Sequence, residues 1–286
     1  MKLQQALAMF LVQLDANGRS SHTVRQYSRH VRALDRWLHE SGKNPDVANI
    51  THQVIAEFLV SPAAKCRPDG NSKMPTSANA LRTSLRCFFA YLFECGAIPS
   101  NPARLIKRAM CSPPPPRALS HAERDRLVAA LEGATTVQDQ RDRTLFVILV
   151  ETGMRIGSAL GVRVEDVDLG ERRLWVTTAK AGRSYEANLT EKATEMLALA
   201  IGGRKAGLVF AGIGVRHAQR RFRTWTDRAG VRADVSLHAL RHTFARAVYA
   251  ERKDILAVQR ALGHTSVVST AIYLRPLGVL NPCSSC

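Results

Sequence analysis

The sequence contains no uninterrupted apolar run approaching the roughly 20 residues that a membrane-spanning helix needs, which removes the membrane class. Met1 to Leu14 lacks the charged start, unbroken apolar segment and small-residue cleavage site of a secretory leader, so the expected compartment is the cytoplasm. No Gly-x-x-x-x-Gly-Lys loop is present to cradle a nucleotide's phosphates. His238 and His242 have the four-residue spacing of a helical zinc pair, but Ala239 stands where His-Glu-x-x-His requires glutamate, and no metal is expected. Six cysteines (Cys66, Cys87, Cys95, Cys111, Cys283 and Cys286) include one Cys-x-x-Cys spacing and no second one, so free thiols are expected. The scarcest feature is negative charge: 24 Asp and Glu face 41 Lys and Arg, a formal net charge of +17. Self-repulsion of that size opposes a compact state unless a polyanion is the usual partner. The cations are spread along the chain instead of gathered beside an apolar anchor, which favours nucleic acid over an anionic membrane surface.

At 286 residues the chain is long enough for two domains, each with its own apolar core. Four consecutive prolines in Cys111 to Arg117 forbid helix and favour an extended connector. Domains are therefore expected at 1–110 and 118–276, joined by a linker at 111–117 and followed by a short tail at 277–286. Upstream, Tyr27, Val31, Leu34 and Leu38 recur at the spacing of one helix face, and Arg25, Arg29, Arg32 and Arg36 recur on the opposite face. Leu81, Leu85, Phe88 and Leu92 form a second apolar stripe with Arg82 and Arg86 beside it, and Ser77 or a neighbour can cap its start. With segments around Leu7 to Leu14 and Val54 to Val60, this predicts a basic bundle of about four helices.

Residues 1–110 hold 15 Lys and Arg against 7 Asp and Glu, so positive charge falls on both halves. A single charged stripe is ordinarily a solvated face. Stripes of one sign in a chain basic throughout point instead to phosphate contacts, with Arg25, Arg29, Arg82 and Arg86 as the candidates. Downstream, Ser120 and Glu123 form a capping pattern for a helix to Leu131, and an apolar helix follows around Leu145 to Val150. Leu174 to Thr178 and Tyr185 to Leu189 read as a small antiparallel hairpin. Helical periodicity resumes from Thr190, over Val215 to Ala229 and over Leu237 to Tyr249. The fold class is mainly α, a helical bundle followed by an α+β domain with a small antiparallel sheet.

Four segments of the second half stand out together: Thr152-Gly-Met-Arg155, the hairpin bearing Lys180, His238-Ala-Leu-Arg241, and Leu262-Gly-His264 followed by Tyr273. In order and approximate spacing they resemble the Arg, Lys, His-x-x-Arg, His and Tyr pattern of the tyrosine recombinases, also called phage integrases. The resemblance extends over most of the chain, including the linker and the first domain, which it implies is a SAM-like core-binding module, and it makes the second domain the catalytic one. It also implies a 3′-phosphotyrosyl intermediate, a Holliday junction, a homo-tetramer on double-stranded DNA target sites, and no small-molecule substrate, ATP or metal.

The chemistry accounts for the grouping. Transesterification at a phosphodiester builds negative charge on the non-bridging oxygens, which a fork-shaped guanidinium fits; Arg155 and Arg241 are the candidates. A phenol is a poor nucleophile below its pKa of about 10, so Tyr273 needs a base, for which His238 is suited. Lys180 on a hairpin tip can protonate the departing sugar oxygen. His238 and Arg241, three apart on a helix, share a face. His264 takes the place of the family's second histidine, bonding a phosphate oxygen or orienting the clamp. Singly, each has a plainer reading: Tyr273 as a core aromatic, Arg155 as a helix cap, Lys180 as a solvated turn residue, the histidines as buried and satisfied.

Two departures from the family pattern are visible. Ser158 stands three positions after Arg155, where an acidic residue is common, and only 13 residues follow Tyr273, with Pro276, Gly278 and Pro282 opposing a long final helix. No arm-site domain is expected ahead of the first helices, which favours short target sites. A type IB topoisomerase and a catalytically silent DNA-binding protein of the same fold are the competing readings, as are a mobile-element integrase and a chromosome-dimer resolvase within the family.

Overall fold

A computed structural model describes residues 1–111, 117–177 and 184–274, except the side chains of 268 and 272–274. Lys180, Cys283 and Cys286, residues 112–116 of the expected linker and the expected tail lie outside the described residues. The chain divides into two compact units, Met1–Pro113 and Pro114–Cys286. Among the described residues no helix is long and apolar enough to cross a membrane.

The first unit is built from α1 (Leu3–Ala16), α2 (Ser21–Glu40), a 3-10 turn (Val47–Asn49), α3 (His52–Val60), α4 (Pro62–Lys65) and α5 (Pro75–Glu94). Ser20 caps α2 by accepting the Thr23 N–H. Val31, Leu34 and Leu38 are buried along α2, whereas Arg25, Arg29, Arg32 and Arg36 are exposed, as their spacing predicts. α5 begins differently from the expected Ser cap. Its first residue is Pro75, whose fixed φ suits a first helical turn and whose missing N–H would be unpaired there anyway, and Ser77 lies inside the helix. Leu81, Leu85, Phe88 and Leu92 are buried; Arg86 is exposed and Arg82 half-buried. Phe10 meets Phe88 edge-on at 5.5 Å and stacks on Tyr27 at 5.9 Å, closing α1 over α2 and α5. Burying each such side chain contributes about 1.5–3 kcal/mol. A 2.7 Å hydrogen bond joins His30 Nδ1 to Ser84 Oγ between α2 and α5.

The second unit opens with α6 (His121–Glu132), where Ser120 and Glu123 form the expected reciprocal capping box. α7 (Val137–Thr152), α8 (Ile156–Leu160) and a 3-10 turn (Val164–Asp166) lead into β1 (Val167–Asp168), β2 (Arg173–Thr177) and β3 (Ser184–Asn188). The sheet is antiparallel in the order β1-β2-β3. β1 is a strand that the periodicity did not reveal, because two residues are too few to alternate. Along β2, Leu174 and Val176 are buried while Arg173, Trp175 and Thr177 face out, the one-sided pattern of a sheet packed on helices. α9 (Glu191–Ile201), α10 (Val215–Arg228), α11 (Leu237–Arg252), α12 (Ile255–Ala261) and α13 (Val267–Leu274) complete the unit. Leu145 to Val150 of α7 are all buried, so this helix is the unit's centre. Asp142, fully buried on α7, accepts from Arg221 Nε and from Trp225 Nε1 at 3.1 Å, which ties α10 to the core. The Leu119 N–H donates to Thr243 Oγ1 at 2.9 Å, fixing the chain after the prolines to α11.

Candidate active site

α11 carries His238 and Arg241 in its first turns, and the helix spacing gives them the shared face that the sequence predicts. Arg241 is only 1% exposed. A buried cation costs several kcal/mol unless its hydrogen bonds and charge are met. Here Nη1 donates to Gly153 O at 2.7 Å, and Nη2 donates to Leu262 O at 2.9 Å and to His264 Nε2 at 2.7 Å. Nε is buried with no hydrogen-bond partner, and among the described residues no carboxylate forms an ion pair with Arg241. The guanidinium is thus held by neutral acceptors.

Those acceptors come from two tight turns. Gly153 ends α7 in the left-handed conformation at φ +61°, and a methyl there would overlap Phe244 Cδ1 and lie 2.8 Å from Phe244 Cγ. This explains the glycine in Thr152-Gly-Met-Arg155: it lets the backbone pack against α11 and delivers its carbonyl to Arg241. Gly263, at φ +61° between α12 and α13, lets its turn pack against Tyr185 of β3, and the preceding residue's carbonyl, Leu262 O, is the one that meets Arg241.

The His264 tautomer follows from its partners. A guanidinium only donates, so Nε2 is the acceptor, and Nδ1 carries the proton it donates to Thr270 Oγ1 at 2.9 Å. Burial first, then the charges of Arg241 and Arg155, push its pKa down to about 4, keeping the ring neutral.

His238 keeps solvent access on the same face. Desolvation, followed by Arg241 and Arg155, lowers its pKa, so the imidazole is neutral and able to take a proton. Its ring meets that of His242 edge-on, with centroids 4.8 Å apart. Arg155 occupies the exposed cap position of α8. Arg155, Ser158, His238 and Arg241 line one cavity of about 610 Å³, to which α10 contributes Gln219 and Arg223. Ser158, found where an acidic residue was anticipated, therefore faces the same space as both arginines. Among the described residues no cluster of His, Cys, Asp and Glu is placed to hold a metal ion.

Tyr273 lies on α13, which packs against α11 and α12; its side chain is outside the described residues, as is all of Lys180. Arg25, Arg29, Arg82 and Arg86 belong to the first unit. Sequence reasoning missed Thr270, Gln219, Arg223 and Tyr185. Of these, the α10 pair had a signal: Arg216, Gln219, Arg220 and Arg223 recur at one helix face, and all four are exposed.

Residues 117–277 match the phage integrase family, and residues 7–96 match the phage integrase N-terminal SAM-like domain. Over 280 residues the chain is 27% identical to tyrosine recombinase XerC of Chromobacterium violaceum, covering 95% of this chain and 90% of that protein. It is 30% identical over 273 residues to tyrosine recombinase XerC of Thermodesulfovibrio yellowstonii, covering 90% and 86%. The fold resembles that of a lambda integrase tetramer bound to a Holliday junction, with a TM-score of 0.73 at 21% identity, over 93% of this chain and 78% of the other. The chain belongs to the phage integrase family of tyrosine recombinases, enzymes that cut and rejoin DNA by transesterification.

Proposed function

We propose that this site-specific recombinase cuts double-stranded DNA target sites through Tyr273, using Arg155, Lys180, His238, Arg241 and His264. The buried guanidinium of Arg241, with an unpaired Nε–H and no carboxylate partner among the described residues, supports this reading most directly. In the proposed step Tyr273 Oη attacks the scissile phosphorus and passes its proton to neutral His238. The bond from phosphorus to the 5′ oxygen breaks, Lys180 protonates that oxygen, and a 3′-phosphotyrosyl link remains. Arg155 and Arg241 hold the non-bridging oxygens as charge builds on them, and His264 keeps Arg241 oriented. Attack by the 5′ hydroxyl of a second strand reverses the chemistry, so the bond energy is kept and neither ATP nor metal is required.

In the same reading the first unit is the core-binding module, with Arg25, Arg29, Arg82 and Arg86 on DNA phosphates, and the second unit is catalytic. The working assembly is a homo-tetramer passing through a Holliday junction, as in the lambda integrase complex named above, and it acts in the cytoplasm. A nicked suicide substrate carrying the native site tests the mechanism. Wild-type protein is expected to form a denaturation-resistant adduct with DNA and Tyr273→Phe none; an adduct that persists in the variant overturns the reading.

A further inference from the structure

Tyr185 lies on β3, where it pairs in register with Val176 of β2, so the sheet fixes its backbone. Its ring lies against the backbone of Gly263: a methyl at Gly263 would overlap Tyr185 Cδ1 and lie 2.6 Å from Cε1 and 2.8 Å from Cγ. Only glycine leaves that room, and the left-handed φ of +61° there also disfavours other residues. The turn beneath the ring is Leu262-Gly263-His264, which supplies two of the three acceptors of Arg241, Leu262 O and His264 Nε2. Tyr185 also borders a cavity of about 480 Å³ with Gln259, Gly263, His264 and Thr265. Burial holds the phenol's pKa above its ordinary value despite the charge of Arg241, a side-chain hydrogen bond with that same arginine, and the charge of Arg155, so the phenol is neutral.

We propose that Tyr185 is a positioning residue for strand cleavage: its ring holds the Leu262–His264 turn against the sheet and thereby fixes the two acceptors that aim Arg241. Tyr185 acts through that arginine and touches no reacting atom. The inference rests on the reading of Arg241 as the phosphate clamp, and the experiment separates the two.

Single-turnover cleavage is measured on suicide substrates whose scissile group is either the ordinary phosphodiester or a methylphosphonate, in which a methyl replaces one non-bridging oxygen. The methylphosphonate builds one negative charge fewer and depends less on the clamp. Arg241→Ala is expected to lose on the order of 10²–10³-fold on the phosphodiester and far less on the methylphosphonate. Tyr185→Ala is expected to show the same selectivity at smaller size, roughly 10-fold to 10²-fold on the phosphodiester and under about 3-fold on the methylphosphonate. Tyr185→Phe keeps the ring and loses only the phenol's hydrogen bond with Arg241, so on the phosphodiester it is expected to lose less than Tyr185→Ala does. Equal losses of Tyr185→Ala on the two substrates, or no loss on either, overturn the positioning role. If Arg241→Ala loses equally on both, the clamp reading falls and the inference falls with it. Should Tyr185→Ala fail to fold, Tyr185→Leu, which keeps an apolar cover of poorer fit, is read by the same ratio.

Discussion

Gly153→Ala tests whether a packed backbone turn holds Arg241 in place. At φ +61° an alanine costs about 1–2 kcal/mol in backbone strain. Its methyl would overlap Phe244 Cδ1, lie 2.8 Å from Phe244 Cγ and 3.1 Å from Leu262 Cδ2. Phe244 is half-buried and can give way in part, so overpacking adds roughly 1–3 kcal/mol. The expected destabilisation is therefore about 2–5 kcal/mol. Urea unfolding read by tryptophan fluorescence measures it in a Trp37→Phe background, in which the remaining Trp175 and Trp225 both report on the second unit. Adding Phe244→Leu is expected to recover part of the packing loss and none of the backbone loss. Cleavage falls as well, because Gly153 O and Leu262 O both bond Arg241 and a misplacement near 1 Å can cost about 10²-fold. A loss below about 0.5 kcal/mol with full activity, measured against the strain and overlap terms above, would refute the account of this turn.

Protonation and charge give two further tests. His242 and His264 have pKa values lowered to about 4 in the folded second unit, against 6.5 when unfolded. Between those values the unfolded chain binds more protons, so their contribution to stability is complete above about pH 6.5 and is lost as the pH falls toward 4. The second unit should take up about two protons on unfolding near pH 5 from these residues, and His264→Gln should reduce that uptake by about one, measured from the pH dependence of the urea midpoint. For DNA binding, Arg25→Ala and Arg29→Ala are expected each to reduce the slope of log affinity against log salt by about 0.9, with equal weakening on specific and unrelated sequences. An unchanged slope in both would remove the α2 stripe from the DNA interface.

The helical scaffold was legible because its signals are local. Ser120 and Glu123 announce a helix start three residues apart, and Arg25, Arg29, Arg32 and Arg36 separate from Val31, Leu34 and Leu38 by helical period alone. The α5 start shows the limit of such signals: Pro75 at the first helical position sets the start, Met74 takes the cap position, and Ser77 falls inside the helix. His238 and Arg241 were legible as a pair for the same local reason. What holds them was not. Arg241 is aimed by Gly153 O, Leu262 O and His264 Nε2, and two of those three acceptors are backbone atoms that every residue carries. A motif letter can mark a carbonyl's position only indirectly, through the glycine that lets the chain come close enough. That is why Gly153 and Gly263 stand beside the chemical residues in their motifs. Their reason lies in Phe244 and Tyr185, each far along the chain and, in sequence, an ordinary aromatic of a helix and of a strand. The candidate chemistry at Arg241 is therefore written in side chains, whereas the geometry that holds this arginine is written in the absence of two side chains and the rings that fill the space.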